Sequence, residues 1–124
     1  MMEPHIYIED NMIYNSDLTI YHKSLDEKTK LEKWTRYNYR NIWWFSGNNA
    51  SASKGYEESN NVEIRIPYNL VKEEEVIDFG DIFVKGYIEK DITKQSDLDV
   101  ELYNIVGIKK NKFGKRPHIH LTGK

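Results

Sequence analysis

Two histidines near the C-terminus are the first residues of this sequence with types and spacing suited to chemistry. His118 and His120 are two positions apart, and in a β-strand such residues share one face. Two imidazoles on one face can begin a zinc site, but such a site needs three or four ligands. Only His5 and His22 remain to join them, and both are distant in sequence. We therefore interpret the pair as surface or interface histidines and expect neither a metal nor another cofactor.

Two pairs of aspartates, Asp78 with Asp81 and Asp97 with Asp99, are the next candidates. Catalysis by paired carboxylates requires surroundings that separate their two pKa values. Both pairs lie in turn-like segments, where aspartate is a common turn or cap residue. The sequence also lacks a GxSxG motif, a glycine-rich phosphate loop and any cysteine nucleophile. We expect that the protein is not an enzyme.

A third cluster combines aromatic rings with arginines. Its members are Trp34, Arg36, Tyr37, Tyr39, Arg40, Trp43 and Trp44. Such side chains form stacking platforms for single-stranded nucleic acid, so an OB-like binding module is one interpretation. The same residue types also dominate the centres of subunit interfaces. Because the formal net charge is −2 and nucleic-acid binding usually leaves a basic footprint, we favour a subunit contact.

Charge is distributed unevenly along the chain. Residues 57–101 hold thirteen acidic and five basic residues, whereas residues 102–124 hold six basic residues and no acidic one. Solvated faces of a single monomer explain such runs most simply. The alternative is a contact in which the acidic face of one subunit meets the basic tail of the next.

Length and composition predict one small domain outside membranes. The 124 residues suffice for one modest core. No apolar run approaches the roughly 18–20 residues of a membrane span, and the acidic start MMEPHIYIEDN does not resemble a signal peptide. Cysteine is absent, which fits a reducing cytoplasm.

Alternating hydrophobicity predicts the elements that must position these residues. Val62, Ile64 and Ile66 point to one side of a strand that Pro67 ends. The other expected elements are an arm at 1–16 with a short edge strand at 5–8, strands at 18–22, 31–39, 41–45, 82–85, 103–110 and 118–122, and a short helix at 96–101 with Ser96 as its N-cap. Six or seven short strands indicate an all-β fold, a small antiparallel barrel or sandwich over residues 17–124.

Two details of this assignment concern side-chain direction and loop length. In the strand at 103–110, Tyr103, Ile105 and Gly107 are expected to alternate against Asn104, Val106 and Ile108. Residues 46–60, SGNNASASKGYEESN, contain almost nothing to bury. A structureless segment of this length is usually functional or disordered, so we expect an extended, projecting loop.

The order of these segments resembles a known family. The segments are Asp17-Leu-Thr-Ile-Tyr-His22, Trp34-Thr-Arg36, Ile42-Trp-Trp44, Val62-Glu-Ile-Arg-Ile-Pro-Tyr68, Gly80-Asp-Ile-Phe-Val-Lys-Gly86, a strand at 102–108, and His118-x-x-x-x-Gly123-Lys124. Together they resemble small structural proteins of tailed phages and prophages of Gram-positive bacteria. The scheme is similar to that of head-closure (stopper) and head–tail joining proteins.

The resemblance implies a non-enzymatic β-barrel subunit of the phage neck, made in the cytoplasm of the bacterial host. Such subunits form rings, commonly of six and sometimes of twelve. The ring lies below the portal or adaptor protein and above the tail terminator or tail tube. It retains packaged double-stranded DNA without sequence specificity and gives the tail a docking surface. A tail terminator or another neck ring is the alternative within this class.

The expected sites follow from this picture. The loop that would line the channel or grip a partner includes Ser46, Gly47, Asn48, Asn49, Lys54, Gly55 and Tyr56. The expected subunit interface comprises Trp34, Arg36, Arg40, Trp43, Glu73, Glu74, Glu75, Lys109, Lys110, Lys112, Lys115 and Arg116. The loop at 67–80 is also expected to face neighbouring subunits.

Overall fold

The structure is a computed structural model that describes residues 14–46 and 61–124. The predicted edge strand at 5–8, most of the predicted arm and the loop residues 47–60 lie outside the described residues.

Six antiparallel strands form a closed barrel, which confirms the all-β prediction. The strands are β1 (Ser16–Leu25), β2 (Glu32–Ser46), β3 (Val62–Pro67), β4 (Ile82–Lys85), β5 (Tyr103–Asn111) and β6 (His118–Gly123). Their order around the barrel is β1-β2-β3-β6-β5-β4, and β4 returns to β1. Two short 3-10 turns, Tyr68–Leu70 and Gln95–Asp97, are the helical elements among the described residues, and none of these is long and apolar enough to cross a membrane.

The alternating pattern fills the barrel as the sequence predicts. Val62, Ile64 and Ile66 of β3 are buried, whereas Glu63 and Arg65 between them are partly exposed. The other five strands and one loop residue, Ile77, supply the remaining interior side chains. These are Leu18, Ile20, Tyr37, Tyr39, Ile42, Trp44, Ile77, Phe83, Ile105, Ile119 and Leu121. Burial of these apolar side chains is the main stabilising contribution.

The predicted break between strands at 31–39 and 41–45 is wrong, because β2 runs through both. Asn41 has a backbone φ of +60°, and the pairing with β1 shifts register between Ser16 and Leu18. Asparagine adopts this left-handed conformation more readily than most residues. The result is a bulge that bends one long strand rather than ending it.

A second bulge overturns the predicted alternation in β5. The pairing with β6 shifts between Ile105, opposite Gly123, and Gly107, opposite Thr122. One extra residue reverses the side-chain direction beyond it. Ile108 therefore packs against the core instead of pointing away from it.

A mostly irregular segment at residues 86–102, the strap, covers part of the outer barrel wall. Its Ile92 and Leu98 pack on the outward side chains of Tyr21, Trp34, Ile82 and Val84 and form a second buried cluster. Thr19 fastens the strap: its Oγ1 donates to Gly86 O at 2.8 Å and accepts from Ile88 N at 2.9 Å.

The helix predicted at 96–101 is wrong, since the strap contains only the 3-10 turn at Gln95–Asp97. Ser96 lies inside this turn, and Lys94 precedes it. Leu98 is extended because its side chain inserts into the second buried cluster. Tertiary packing thus overrides the local helix signal.

We predict that Gly123→Ala destabilises the barrel by about 1–3 kcal/mol, the usual cost of overpacking a core. An added Cβ would lie 2.2 Å from the Phe83 ring and 3.1 Å from Tyr103 Cβ. Urea unfolding measures the loss. The control is Gly107→Ala, whose Cβ would meet the Thr122 side chain at 3.1 Å. That side chain is half-exposed and can shift, so an equal loss in both variants would contradict the prediction.

Candidate functional site

The two C-terminal histidines share the outer face of β6 but have separate partners. His118 Nδ1 donates to Arg116 O at 3.0 Å, which leaves Nε2 to accept from the Asn111 amide at 3.1 Å. His120 Nε2 lies 2.9 Å from Glu63 Oε1. Within residues 14–46 and 61–124, no three His, Asp or Glu side chains are grouped closely enough to hold a metal ion. The histidines therefore serve local pairing across neighbouring strands.

Three of the four candidate aspartates, Asp78, Asp81 and Asp97, hold turns, whereas Asp99 is exposed. Asp81 is only 1% exposed, and its carboxylate accepts from Lys23 N at 3.0 Å and Asp78 N at 2.7 Å. His22 Nδ1 lies 3.0 Å from both oxygens of this carboxylate. Hydrogen bonds from Thr93 and Lys94 hold the pKa of Asp97 well below its usual range. Asp97 thereby fastens the turn in the strap.

The aromatic–arginine cluster is divided among three places rather than forming one platform. Trp34 is 8% exposed beneath the strap, so it belongs to the core and not to a surface. Tyr37, Tyr39 and Trp44 lie in the barrel interior. Trp43 faces outward, because it precedes the inward-facing Trp44 in the same strand.

The three outward members of the cluster contact the chain itself. Arg36 Nε lies 3.3 Å from Asp91 Oδ1 in the strap. Arg40 pairs with Asp17 at 3.5 Å, and its guanidinium lies 4.0 Å from the Tyr87 ring centre. Trp43 stacks on Phe45 with a centroid distance of 5.6 Å, and the Arg65 guanidinium lies 4.6 Å from the Trp43 ring centre.

The acidic run and part of the basic tail lie side by side in one subunit. Glu73 and Glu75 line the same cavity, of about 370 Å³, as Lys110 and Lys112. Glu75 also accepts from Tyr39 Oη at 2.8 Å. The segment at 67–80 is therefore not simply a projecting loop, since its Ile77 is buried in the barrel core.

A larger cleft of about 780 Å³ opens where β2 and β3 diverge. Its lining is Tyr14, Arg40, Asn41, Pro67, Tyr68, Asn69, Leu70, Lys115, Arg116 and Pro117. Three of these residues are cationic and none is acidic. Tyr68 N donates to Pro117 O at 3.0 Å and ties the 3-10 turn to the segment before β6. The cleft thus combines apolar and cationic side chains in its lining.

The sequence predicted part of this cleft. Arg40, Lys115 and Arg116 were expected at a subunit interface, whereas Asn41, the turn at Tyr68–Leu70 and Pro117 were not singled out. The basic pair followed by Pro117 was the available signal, but only the divergence of β2 from β3 brings these residues together.

One end of the barrel gathers exposed apolar side chains. Because all strands are antiparallel, the connections at 26–31, 68–81 and 112–117 lie at one end, which we call the apolar end. Its exposed apolar side chains are Leu25, Leu31, Leu70, Val76, Phe79 and Phe113. Phe113 is 91% exposed between Lys112 and Lys115. Ser46 and the C-terminus lie at the opposite end, and the other loop residues, Gly47, Asn48, Asn49, Lys54, Gly55 and Tyr56, lie outside the described residues.

Buried tyrosines predict a loss of stability at alkaline pH. Burial raises the pKa of Tyr39, and its hydrogen bond to Glu75 raises it further. Above pH ~10 the unfolded chain releases the tyrosine proton while the folded chain keeps it, so stability falls as pH rises. We expect Tyr39→Phe to weaken this fall and to cost about 1 kcal/mol at neutral pH.

Urea unfolding from pH 7 to 11 measures both effects. Between pH 7 and 9 the two proteins should show parallel pH dependence, which serves as the internal control. An equally steep fall above pH 10 in the variant would contradict the role of Tyr39.

Comparison with known proteins shows the family of this chain. No curated protein matches it, and no solved structure matches it either. A family of unknown function, DUF6751, matches residues 13–124, which comprise the entire barrel with its strap. The chain belongs to the DUF6751 family.

Proposed function

We propose that the protein is a structural subunit of the phage neck, a stopper or connector ring between the portal or adaptor and the tail. In this role it closes the filled head, retains double-stranded DNA and docks the tail. It acts in the virion and carries out no reaction.

One observation carries this proposal: one end of the barrel presents a group of large exposed apolar side chains. The apolar end presents large exposed side chains, led by Phe113, among charged residues. Aromatic side chains at the centre of a polar rim are typical of protein interfaces. The opposite end holds Ser46, from which the chain continues into the Ser/Asn/Gly-rich segment. A ring that must dock the head or the tail requires such a protein-binding surface.

The resemblance adds support from the sequence. The seven segments from Asp17 to Lys124 that carry it each contribute to a strand, and the six strands form one closed barrel. The uncharged character of residues 46–53 fits a channel lining, because tight binding to phosphate requires Lys or Arg.

A gene disruption tests the proposal in the phage or prophage that carries this sequence. We expect particles whose heads package DNA but lose it, and tails that remain unattached. Supplying the intact gene in trans is the control and should restore both properties. Purified parental virions should contain the chain in six or twelve copies by quantitative mass spectrometry.

The other outcomes are informative. Attached tails of uncontrolled length would support the tail-terminator alternative. Disrupted particles with stable heads and normal tails would contradict a neck function.

The outward-facing Trp43 favours a second candidate, single-stranded nucleic-acid binding. Trp43, Phe45 and Arg65 form a partly exposed stack on β2 and β3. Lys109 lies on β5, two strands from Arg65, and pairs with His120 of the strand between them. Aromatic rings with nearby cations are suited to stacking bases. However, the barrel has six strands, whereas an OB-fold has five.

Tryptophan fluorescence separates the two candidates. Trp34 and Trp44 are buried, so a stacked base should quench Trp43 selectively. Under our proposal, oligo-dT leaves the emission unchanged at moderate salt. Quenching that is lost in Trp43→Phe and falls steeply with added salt would favour the nucleic-acid module instead.

A further inference from the structure

We propose that the cleft between β2 and β3 binds the segment Asp99-Val100-Glu101 of a second copy of this chain. The partner is thus another subunit, and the contact joins two different surfaces. That such contacts close into a ring rests on the proposed function. The contact itself rests on the chemistry of the two surfaces.

The cleft has the chemistry of a receptor for an acidic and apolar segment. Arg40, Lys115 and Arg116 line it, Arg40 in an ion pair with Asp17, and no acidic side chain is among its lining residues. Pro67, Leu70 and Pro117 supply apolar side chains to its lining. Its volume of about 780 Å³ is in the range of clefts that enclose a drug-sized ligand, which is large enough for a few residues of extended chain.

The walls of the cleft are braced within the subunit. Arg40 is held by Asp17 and by the Tyr87 ring. Arg116 Nη1 lies 3.5 Å from Tyr14 Oη, and the hydrogen bond from Tyr68 N to Pro117 O joins two of the walls. A preformed cleft lowers the entropic cost of binding.

The segment at 99–101 has the complementary pattern. Val100 is 46% exposed between two exposed carboxylates, Asp99 and Glu101. The chain here is neither helix nor strand. The residue just before it, Leu98, is anchored in the second buried cluster. Burial raises the pKa of Tyr103, and the charge of Glu101 and its hydrogen bond with Tyr103 raise it further. An apolar side chain flanked by two negative charges matches a lining of apolar and cationic side chains.

The two surfaces lie on opposite walls of the barrel. The cleft lies between β2 and β3, whereas residues 99–101 lead into β5, which adjoins β4 and β6. One molecule therefore cannot fill its own cleft with this segment. Contacts between unlike surfaces can propagate from subunit to subunit, and they form a ring where the rotation closes.

The acidic run Glu73–Glu75 is the competing occupant, and it suits the cleft less well. Glu75 already accepts hydrogen bonds from Tyr39 Oη and from Lys72 N. Glu73 and Glu75 also line a cavity beside Lys110 and Lys112 in their own subunit.

Cysteine cross-linking tests the contact, because the chain has no natural cysteine. In the variant Leu70→Cys/Val100→Cys, one cysteine lies in the cleft and the other in the acidic segment. Mild oxidation at high protein concentration should give a ladder of disulfide-linked species that ends at a closed ring. Each single-cysteine variant should stop at a dimer.

The matched control is Leu70→Cys/Val106→Cys. Val106 is as exposed as Val100, at 50%, but has Ile105 and Gly107 beside it instead of two carboxylates. This control should give no ladder. Equal ladders from both pairs, or none from the Val100 pair, would overturn the proposed contact.

Charge exchange identifies the partners of the contact. Added to the cysteine pair, Lys115→Glu/Arg116→Glu should lower the yield of disulfide-linked species at least about tenfold, because like charges then meet. Asp99→Lys/Glu101→Lys should lower this yield equally, for the same reason. Circular dichroism shows whether each variant folds. If Lys115→Glu/Arg116→Glu does not fold, Lys115→Glu alone replaces it as the milder variant. A 1:1 mixture of the two double-charge variants should restore the ladder, since each then offers the other a complementary surface.

Two further results separate this contact from the neck function. Glu73→Lys/Glu74→Lys should leave the ladder unchanged. Loss of the ladder in this variant would indicate that the acidic run Glu73–Glu75 occupies the cleft instead. A ladder without a terminal ring would support the contact but contradict the ring. Loss of DNA from disrupted virions, together with no ladder from the Val100 pair, would support the neck function but overturn this contact.

Discussion

Closure of the barrel depends on the buried carboxylate of Asp81. β4 has only four residues, and its register with β5 comprises two residue pairs. Asp81, directly before β4, accepts hydrogen bonds from Lys23 N in β1 and from Asp78 N in the preceding turn, and pairs with His22. Its own carbonyl accepts from Ile105 N in β5. One residue therefore links the two strands that β4 must join, and a buried carboxylate is tolerated because several donors satisfy it.

The strap depends on this closure and gives the outer wall a second buried layer. β1 and β4 must be adjacent before Tyr21, Ile82 and Val84 can form one apolar surface for Ile92 and Leu98. Thr19 satisfies the polar backbone where the strap begins, and Tyr21 Oη donates to Lys90 O at 2.6 Å further along. With Ile92 and Leu98 turned inward, the strap leaves Glu89, Asp91, Asp99 and Glu101 exposed.

A closed barrel restricts how subunits can associate. Each strand of the described barrel pairs on both sides, so association by adding a strand to an open edge is disfavoured. Side-chain surfaces must then provide the contacts. The apolar end, the adjoining cleft and the strap provide such surfaces, and Leu70 belongs to both of the first two. Contacts through side-chain surfaces of this kind fit a subunit of the proposed neck ring.

The sequence alone determined the fold class, the inward face of β3 and the positions of β4 and β6, because period-two hydrophobicity is a local property that burial selects directly. It did not determine the bulges at Asn41 and between Ile105 and Gly107, since a single extra residue changes the strand direction without a clear local signal. The short helix predicted at 96–101 is wrong for a related reason: Leu98 is held by residues far away in sequence, and these override the local preference.

For the candidate site, the sequence supplied the residue types and the structure decided which of them are accessible. Trp34 and Arg40 belong to the same cluster in sequence, yet the strap buries one and the cleft displays the other. The cleft itself could not be predicted, because its walls come from β2, from the turn after β3 and from the segment before β6. Only the closing of the barrel brings these distant segments together, and no local pattern records which strands will diverge.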